Sequence, residues 1–102
     1  MERLFVYGTL VKGQRAHNLL ENSKYLGKAT LKGYRKMDLI HYPGIVKDKN
    51  SIVEGEVYEV DEHTKQRVDL YEGEGYLFKC IDAEINLNNN PVKAKVYEYI
   101  VR

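Results

Sequence analysis

Ser51-Ile52-Val53-Glu54-Gly55-Glu56-Val57-Tyr58-Glu59-Val60 is the stretch whose pattern says most about the fold. Its β-branched and aromatic residues read as a strand, and Gly55 stands where a bend or a close backbone approach needs a missing side chain. Apolar and charged residues occur on both of its faces. That suits a curved, partly closed sheet better than a flat one with a single wet side, because curvature changes which positions are covered along a strand.

On the N-terminal side, Leu4-Phe5-Val6-Tyr7 is a compact run of strand formers stopped by Gly8-Thr9, which predicts a first strand at about 3–7. Ala16, Leu19 and Leu20 at helical spacing predict a short helix within Arg15–Glu21, and Tyr25–Leu39 reads as two strands or bent extended segments around Gly27 and Gly33. His41-Tyr42-Pro43-Gly44 turns the chain. On the C-terminal side Asp61 can cap a helix that runs to about Leu70 or Tyr71, with Val68 and Tyr71 on its buried face and Gly73 and Gly75 as terminators. Tyr76–Ile85 and Lys93–Val101, joined by Asn88-Asn89-Asn90-Pro91, predict a closing hairpin.

The 102 residues fit one domain, 1–102, and 43% hydrophobic against 30% charged residues suits a folded chain. Sixteen basic and fifteen acidic side chains give a net charge of +1, so no overall field draws the protein to nucleic acid or anionic lipid. The lone Cys80 cannot close an internal disulfide and the start shows no signal or spanning segment, which points to the cytoplasm. A monomer or weak homodimer is expected.

Two segments carry candidate chemistry. In Tyr7-Gly8-Thr9-Leu10 a glycine after a strand lets consecutive amides face an anion such as a carboxylate, although an ordinary strand-ending turn reads the same way, and no Walker-type Gly-Lys-Ser/Thr follows. In Asp69-Leu70-Tyr71-Glu72-Gly73-Glu74-Gly75-Tyr76 two glutamates lie among glycines and tyrosines. A carboxyl at the negative end of a helix and shielded by rings should be harder to ionise, as proton shuttling near neutral pH requires, so a raised pKa is predicted for Glu72. A solvated acidic loop is the plainer alternative, and Glu74 faces the pocket if the loop turns the other way. His17, His41 and His63 lack metal-ligand spacing, so no metal is expected, and Cys80 has no adjacent cation or histidine evident in the sequence to make it a thiolate. Tyr97 and Tyr99 alternate onto one strand face, as core or pocket residues.

Taken together, Tyr7-Gly8-Thr9-Leu10, Glu54-Gly55-Glu56-Val57-Tyr58 and a helix leading into Asp69-Leu70-Tyr71-Glu72-Gly73 follow the order of landmarks in the γ-glutamyl cyclotransferase family. The chain most resembles the short branch that includes γ-glutamylamine cyclotransferases and avirulence-induced-gene-2-like proteins. The resemblance implies an α+β fold, a small mixed β-barrel with flanking short helices, and a pocket between the Tyr7–Leu10 loop and Glu72. It implies release of an amine or amino acid from a γ-glutamyl compound with formation of 5-oxoproline, with Glu72 as general acid/base, Tyr7, Gly8, Thr9, Leu10 and Tyr76 binding substrate, and no cofactor. The family's frequent arginine two residues after the tyrosine matching Tyr76 is Phe78 here, with Lys79 one step further. A non-catalytic small-metabolite binding protein using the same pocket is the alternative.

Overall fold

The computed structural model describes residues 1–101. Strands β1 (Glu2–Val6), β2 (Lys24–Asp38), β3 (Pro43–Val60), β4 (Phe78–Leu87) and β5 (Asn90–Tyr99) form one sheet in the order β1-β3-β2-β4-β5. The sheet closes on itself because β1 also meets β5, in parallel, at Leu4 opposite Lys95; the other pairings between these five strands are antiparallel. One helix, α1 (Glu62–Glu72), and a 3-10 turn (His17–Leu20) flank the sheet, giving the expected α+β class.

Closure explains the two-faced apolar pattern of β3. Alternate residues of β1 and of the position just after it enter different cores: Phe5 and Tyr7 join Leu31, Val53, Ile85 and Val96 in a cluster drawn from all five strands, while Leu4 and Val6 join Tyr58, Val60 and Tyr97 under Val68 of α1 and Leu20 of the 3-10 turn. The first cluster fills the barrel and the second glues the helical cover to its wall. Gly55 is the close approach anticipated for it: a Cβ there would lie 2.2 Å from the Val6 carbonyl oxygen and 2.7 Å from the Phe5 ring.

Several elements differ from expectation. The apolar spacing around Leu20 is real, since Leu20 is buried, but with no side-chain cap at Ala16 the segment makes only a four-residue 3-10 turn. Residues 24–38 are one long strand whose register slips at Tyr25/Gly27 and Lys32/Tyr34, and Gly27 and Gly33 take φ of 138° and 87° there. β3 begins at Pro43 rather than at Ser51, pairing Pro43 with Asp38 and Lys47 with Tyr34. Exposed charges at Lys47 and Lys49, with Asp48 paired to Arg35 at 3.3 Å, hide that arm from a hydrophobic pattern.

Asp61 caps α1 as anticipated, accepting from the Thr64 amide at 2.7 Å, and Gly73 ends it with φ 64°. Val68 is fully buried, but Tyr71 is 42% exposed and does not share its face. The closing hairpin turns on two residues, Asn88 and Asn89, with φ of 52° and 68°; Asn90 and Pro91 already belong to β5. No helix among the described residues is long and apolar enough to cross a membrane.

Candidate active site

β1 delivers the chain into the Tyr7–Leu10 loop at the end of the barrel. Gly8 passes directly beneath Pro43, where a Cβ would stand 2.5 Å from the proline Cγ. The loop is held through its carbonyls: Gly8 accepts from the Val11 amide at 3.1 Å and Thr9 from the Ala16 amide at 2.9 Å, and the Leu10 carbonyl lies 2.9 Å from His17 Nδ1. The amides of Gly8, Thr9 and Leu10 donate to no acceptor among the described residues. A run of unpaired N–H groups beside a cavity is a ready acceptor of negative charge.

Glu72, the last residue of α1, joins Tyr7, Gly8, Thr9, Leu10, Pro43 and Tyr97 in lining a cavity of 20 Å³, room for about one water. Burial pushes its carboxyl up to about 7, near neutrality. Tyr7 donates from its hydroxyl to the Tyr97 carbonyl at 2.6 Å. The hydroxyl itself is held protonated by burial and by the negative charge of Glu72. Tyr97 donates in turn to Asp69, which also receives Lys65 at 2.6 Å, so the helix turn that carries Glu72 is tied to β5. Burial and that carboxylate push the Tyr97 hydroxyl up as well.

Two larger hollows flank the central cavity. One, of 790 Å³, shares Tyr7, Gly8, Thr9 and Pro43 with it and is lined further out by Lys28, Lys36, Glu54 and Glu56. The other, of 270 Å³, shares Glu72 with it and is walled by Tyr42, Tyr71, Leu77 and Phe78, with Arg15 and His41 beside them.

Five of the six anticipated site residues, Tyr7, Gly8, Thr9, Leu10 and Glu72, therefore meet at one cavity. Tyr76 does not reach it; it is 68% exposed and lines none of these three hollows. Glu74 points elsewhere, accepting from the Cys80 amide at 3.3 Å. Phe78, at the place of the family arginine, is buried between the rings of Tyr42 and Tyr99, at 5.7 and 5.8 Å. Lys79 pairs with Glu98 at 3.7 Å. Cys80 does have a cation beside it, Lys65, although burial outweighs it and raises the thiol; the sequence hides this because Lys65 arrives from the helix. Pro43 was not anticipated at the site, since a turn proline carries no local signal of what it faces; Arg15, which the sequence leaves open between ligand and solvent, lines the 270 Å³ hollow. No cluster suited to a metal occurs among the described residues.

The closed five-stranded barrel thus carries at one end a small cavity that one half-buried acid shares with unpaired loop amides. The profile of the family described as gamma-glutamyl cyclotransferase, AIG2-like, matches residues 4–101. The chain belongs to the γ-glutamyl cyclotransferase, AIG2-like family. A γ-glutamylcyclotransferase-family protein of Methanocaldococcus jannaschii is 39% identical over 102 residues, 97% of this chain and 85% of that one. The gamma-L-glutamyl-butirosin B gamma-glutamyl cyclotransferase of Niallia circulans is 35% identical over 106 residues, 97% of this chain and 67% of that one. The crystal structure of an uncharacterised Pyrococcus horikoshii protein superposes with a TM-score of 0.82 at 31% identity, covering 100% of this chain and 80% of the other.

Proposed function

We propose that the protein is a γ-glutamyl cyclotransferase that converts a γ-glutamyl amine or amide into 5-oxoproline and the free amine or amino acid, with Glu72 as general acid/base. The observation that carries this reading is the shared cavity: a carboxyl tuned to about 7 lies opposite the unpaired amides of the Tyr7–Leu10 loop.

The amides of Gly8, Thr9 and Leu10 hold the substrate α-carboxylate and the oxygen that becomes negative. The Glu72 carboxylate takes one proton from the α-ammonium, and the freed nitrogen attacks the γ-carbonyl carbon, forming the ring C–N bond. As the tetrahedral centre collapses the other C–N bond breaks, and Glu72 passes to the departing nitrogen first the proton taken from the α-ammonium and then the second proton that the ring nitrogen sheds on becoming a lactam N–H, so the amine leaves as an ammonium. Substrate and products balance without water. The substrate supplies its own nucleophile, so the barrier falls mainly through positioning of an intramolecular attack. Tyr7, protonated and tied to Tyr97, lines the pocket as a wall that does not exchange protons.

The 20 Å³ cavity is smaller than a five-membered lactam, so binding requires the Pro43 ring to move off Gly8 and join the cavity to the 790 Å³ hollow. That tight closure is also the observation favouring the alternative, a metabolite-binding module without turnover. Incubation with a panel of γ-glutamyl compounds and chromatographic measurement of 5-oxoproline separates the two. Product from any of them supports the enzyme; thermal stabilisation by the same compounds with no product supports the module.

A further inference from the structure

We infer that the 270 Å³ hollow beside Glu72 is the leaving-group subsite, and that it takes an aromatic or large aliphatic amino acid whose carboxylate is received by Arg15. The inference rests on the cyclotransferase reading above and adds the chemical class of the released group.

The two hollows divide the substrate between them. The glutamyl end needs the loop amides, and the loop residues Tyr7, Gly8 and Thr9 line the central cavity and the larger hollow. Glu72 does not line the larger hollow. The departing nitrogen has to lie within about 2.6–3.2 Å of the acid that protonates it, so whatever that nitrogen carries extends past Glu72. The hollow that Glu72 lines, other than the central one, is the smaller one.

Its walls select for apolar bulk. Tyr42, Tyr71, Leu77 and Phe78 present rings and methyl groups, and Tyr71 and Leu77 remain 42% and 38% exposed, so their apolar surface is available to a ligand. The walls are preformed: the Tyr71 hydroxyl lies 2.7 Å from Thr9 Oγ1, and the Tyr42 ring packs on Phe78 at 5.7 Å. A rigid wall loses little freedom when it is covered. At 270 Å³ the space lies just below the usual size of ligand cavities, about 300–1,000 Å³, which suits a single amino acid rather than an extended chain.

Arg15 supplies the polar contact. One of its guanidinium nitrogens donates to the His41 carbonyl at 2.8 Å, which fixes its place, and it has no carboxylate partner among the described residues. The remaining N–H groups of the fork match a carboxylate. An amino acid joined to the γ-carboxyl through its α-nitrogen places its own carboxylate two bonds from the atom at Glu72 and its side chain against the rings.

The test uses the full chain with γ-glutamyl-L-phenylalanine, γ-glutamylglycine and γ-glutamyl-phenethylamine, measuring 5-oxoproline release, together with amide NMR shifts on adding free L-phenylalanine or glycine. The expected result is kcat/KM for the phenylalanine compound at least about tenfold above that for the glycine compound, a preference that Leu77→Ser reduces several-fold. Arg15→Met lowers turnover of the phenylalanine compound about tenfold more than that of the phenethylamine compound, which has no carboxylate there. L-Phenylalanine, and not glycine, shifts Tyr71 and Leu77. Equal turnover of the phenylalanine and glycine compounds, or an Arg15→Met loss identical for substrates with and without the carboxylate, overturns the inference while the enzyme stands. With no turnover of any compound, shifts at Tyr71 and Leu77 keep the subsite and remove the cyclotransferase reading; absence of those shifts removes both.

Discussion

The Tyr7 hydroxyl donates to the Tyr97 carbonyl at 2.6 Å, and Tyr97 donates its own hydroxyl to Asp69, three residues before Glu72. One strand end, a second strand and the helix are thus linked in a line that sets the acid against the loop. Lys65, whose side chain is only 12% exposed, completes it by pairing with Asp69 and lying 5.3 Å over the Tyr97 ring.

Tyr97→Phe removes the hydroxyl that Asp69 accepts while keeping the ring. The expected loss of stability is about 1–2 kcal/mol, as for a hydrogen bond to a charged group that is partly shielded. Urea unfolding measures it, and a midpoint equal to that of the native protein would show that this link holds nothing.

Glu72→Gln keeps shape and burial but cannot carry a proton. It should reduce 5-oxoproline formation by about 10²–10⁴-fold, whereas Glu74→Gln, which changes a carboxyl that accepts from the Cys80 amide, should stay within a few-fold of native. Steady-state kinetics on both variants decides between the two carboxylates; native-like activity of Glu72→Gln rejects the proposed mechanism.

The raised Glu72 pKa gives two pH signatures. The base form starts the reaction, so kcat/KM should rise with pH with a midpoint near 7. Stability should run the other way: between an unfolded value of 4.5 and a folded value of about 7 the native state binds more protons, so stability present below pH 4.5 is lost as pH rises through 7. The half-buried position limits this to on the order of 2 kcal/mol. Subtracting the pH–stability curve of Glu72→Gln from that of the native protein isolates it, and a flat difference would mean the group is not shifted.

What was legible follows from locality. The capped start of α1 at Asp61, the glycine that ends it and the turn after β1 are all written within a few adjacent residues, as are four of the five residues that meet at the cavity; that Glu72 joins them was implied by the family resemblance. The charged arm of β3 at Lys47–Asn50 was not legible as strand, because Tyr34, which pairs with Lys47, and Arg35, which forms the ion pair with Asp48, come from another strand, and neither face of the arm is buried continuously. The 3-10 turn at His17–Leu20 shows the reverse, an apolar spacing that is satisfied by packing without a full helix. Tyr76 was drawn to the site by its neighbours in sequence, but the turn after Gly73 carries it outward, and Pro43 comes to the site only through barrel closure.

Gly55→Ala puts a methyl group onto the Val6 carbonyl and the Phe5 ring, both in the packed interior. A backbone atom cannot move aside as a flexible side chain can, so destabilisation of about 3 kcal/mol is expected. Thermal unfolding compared with Gly13→Ala, where a Cβ meets nothing within 4 Å and only φ strain applies, separates collision from strain; equal losses would argue against the close approach.

The parallel contact of Leu4 with Lys95 has a consequence for when the pocket comes into being. β1 and its loop leave the ribosome some ninety residues before the wall contributed by Tyr97, so over that interval the nascent chain holds an unfinished ring with a bare edge. The corner where Glu72 meets the Tyr7–Leu10 loop is therefore complete only once β5 has closed the ring.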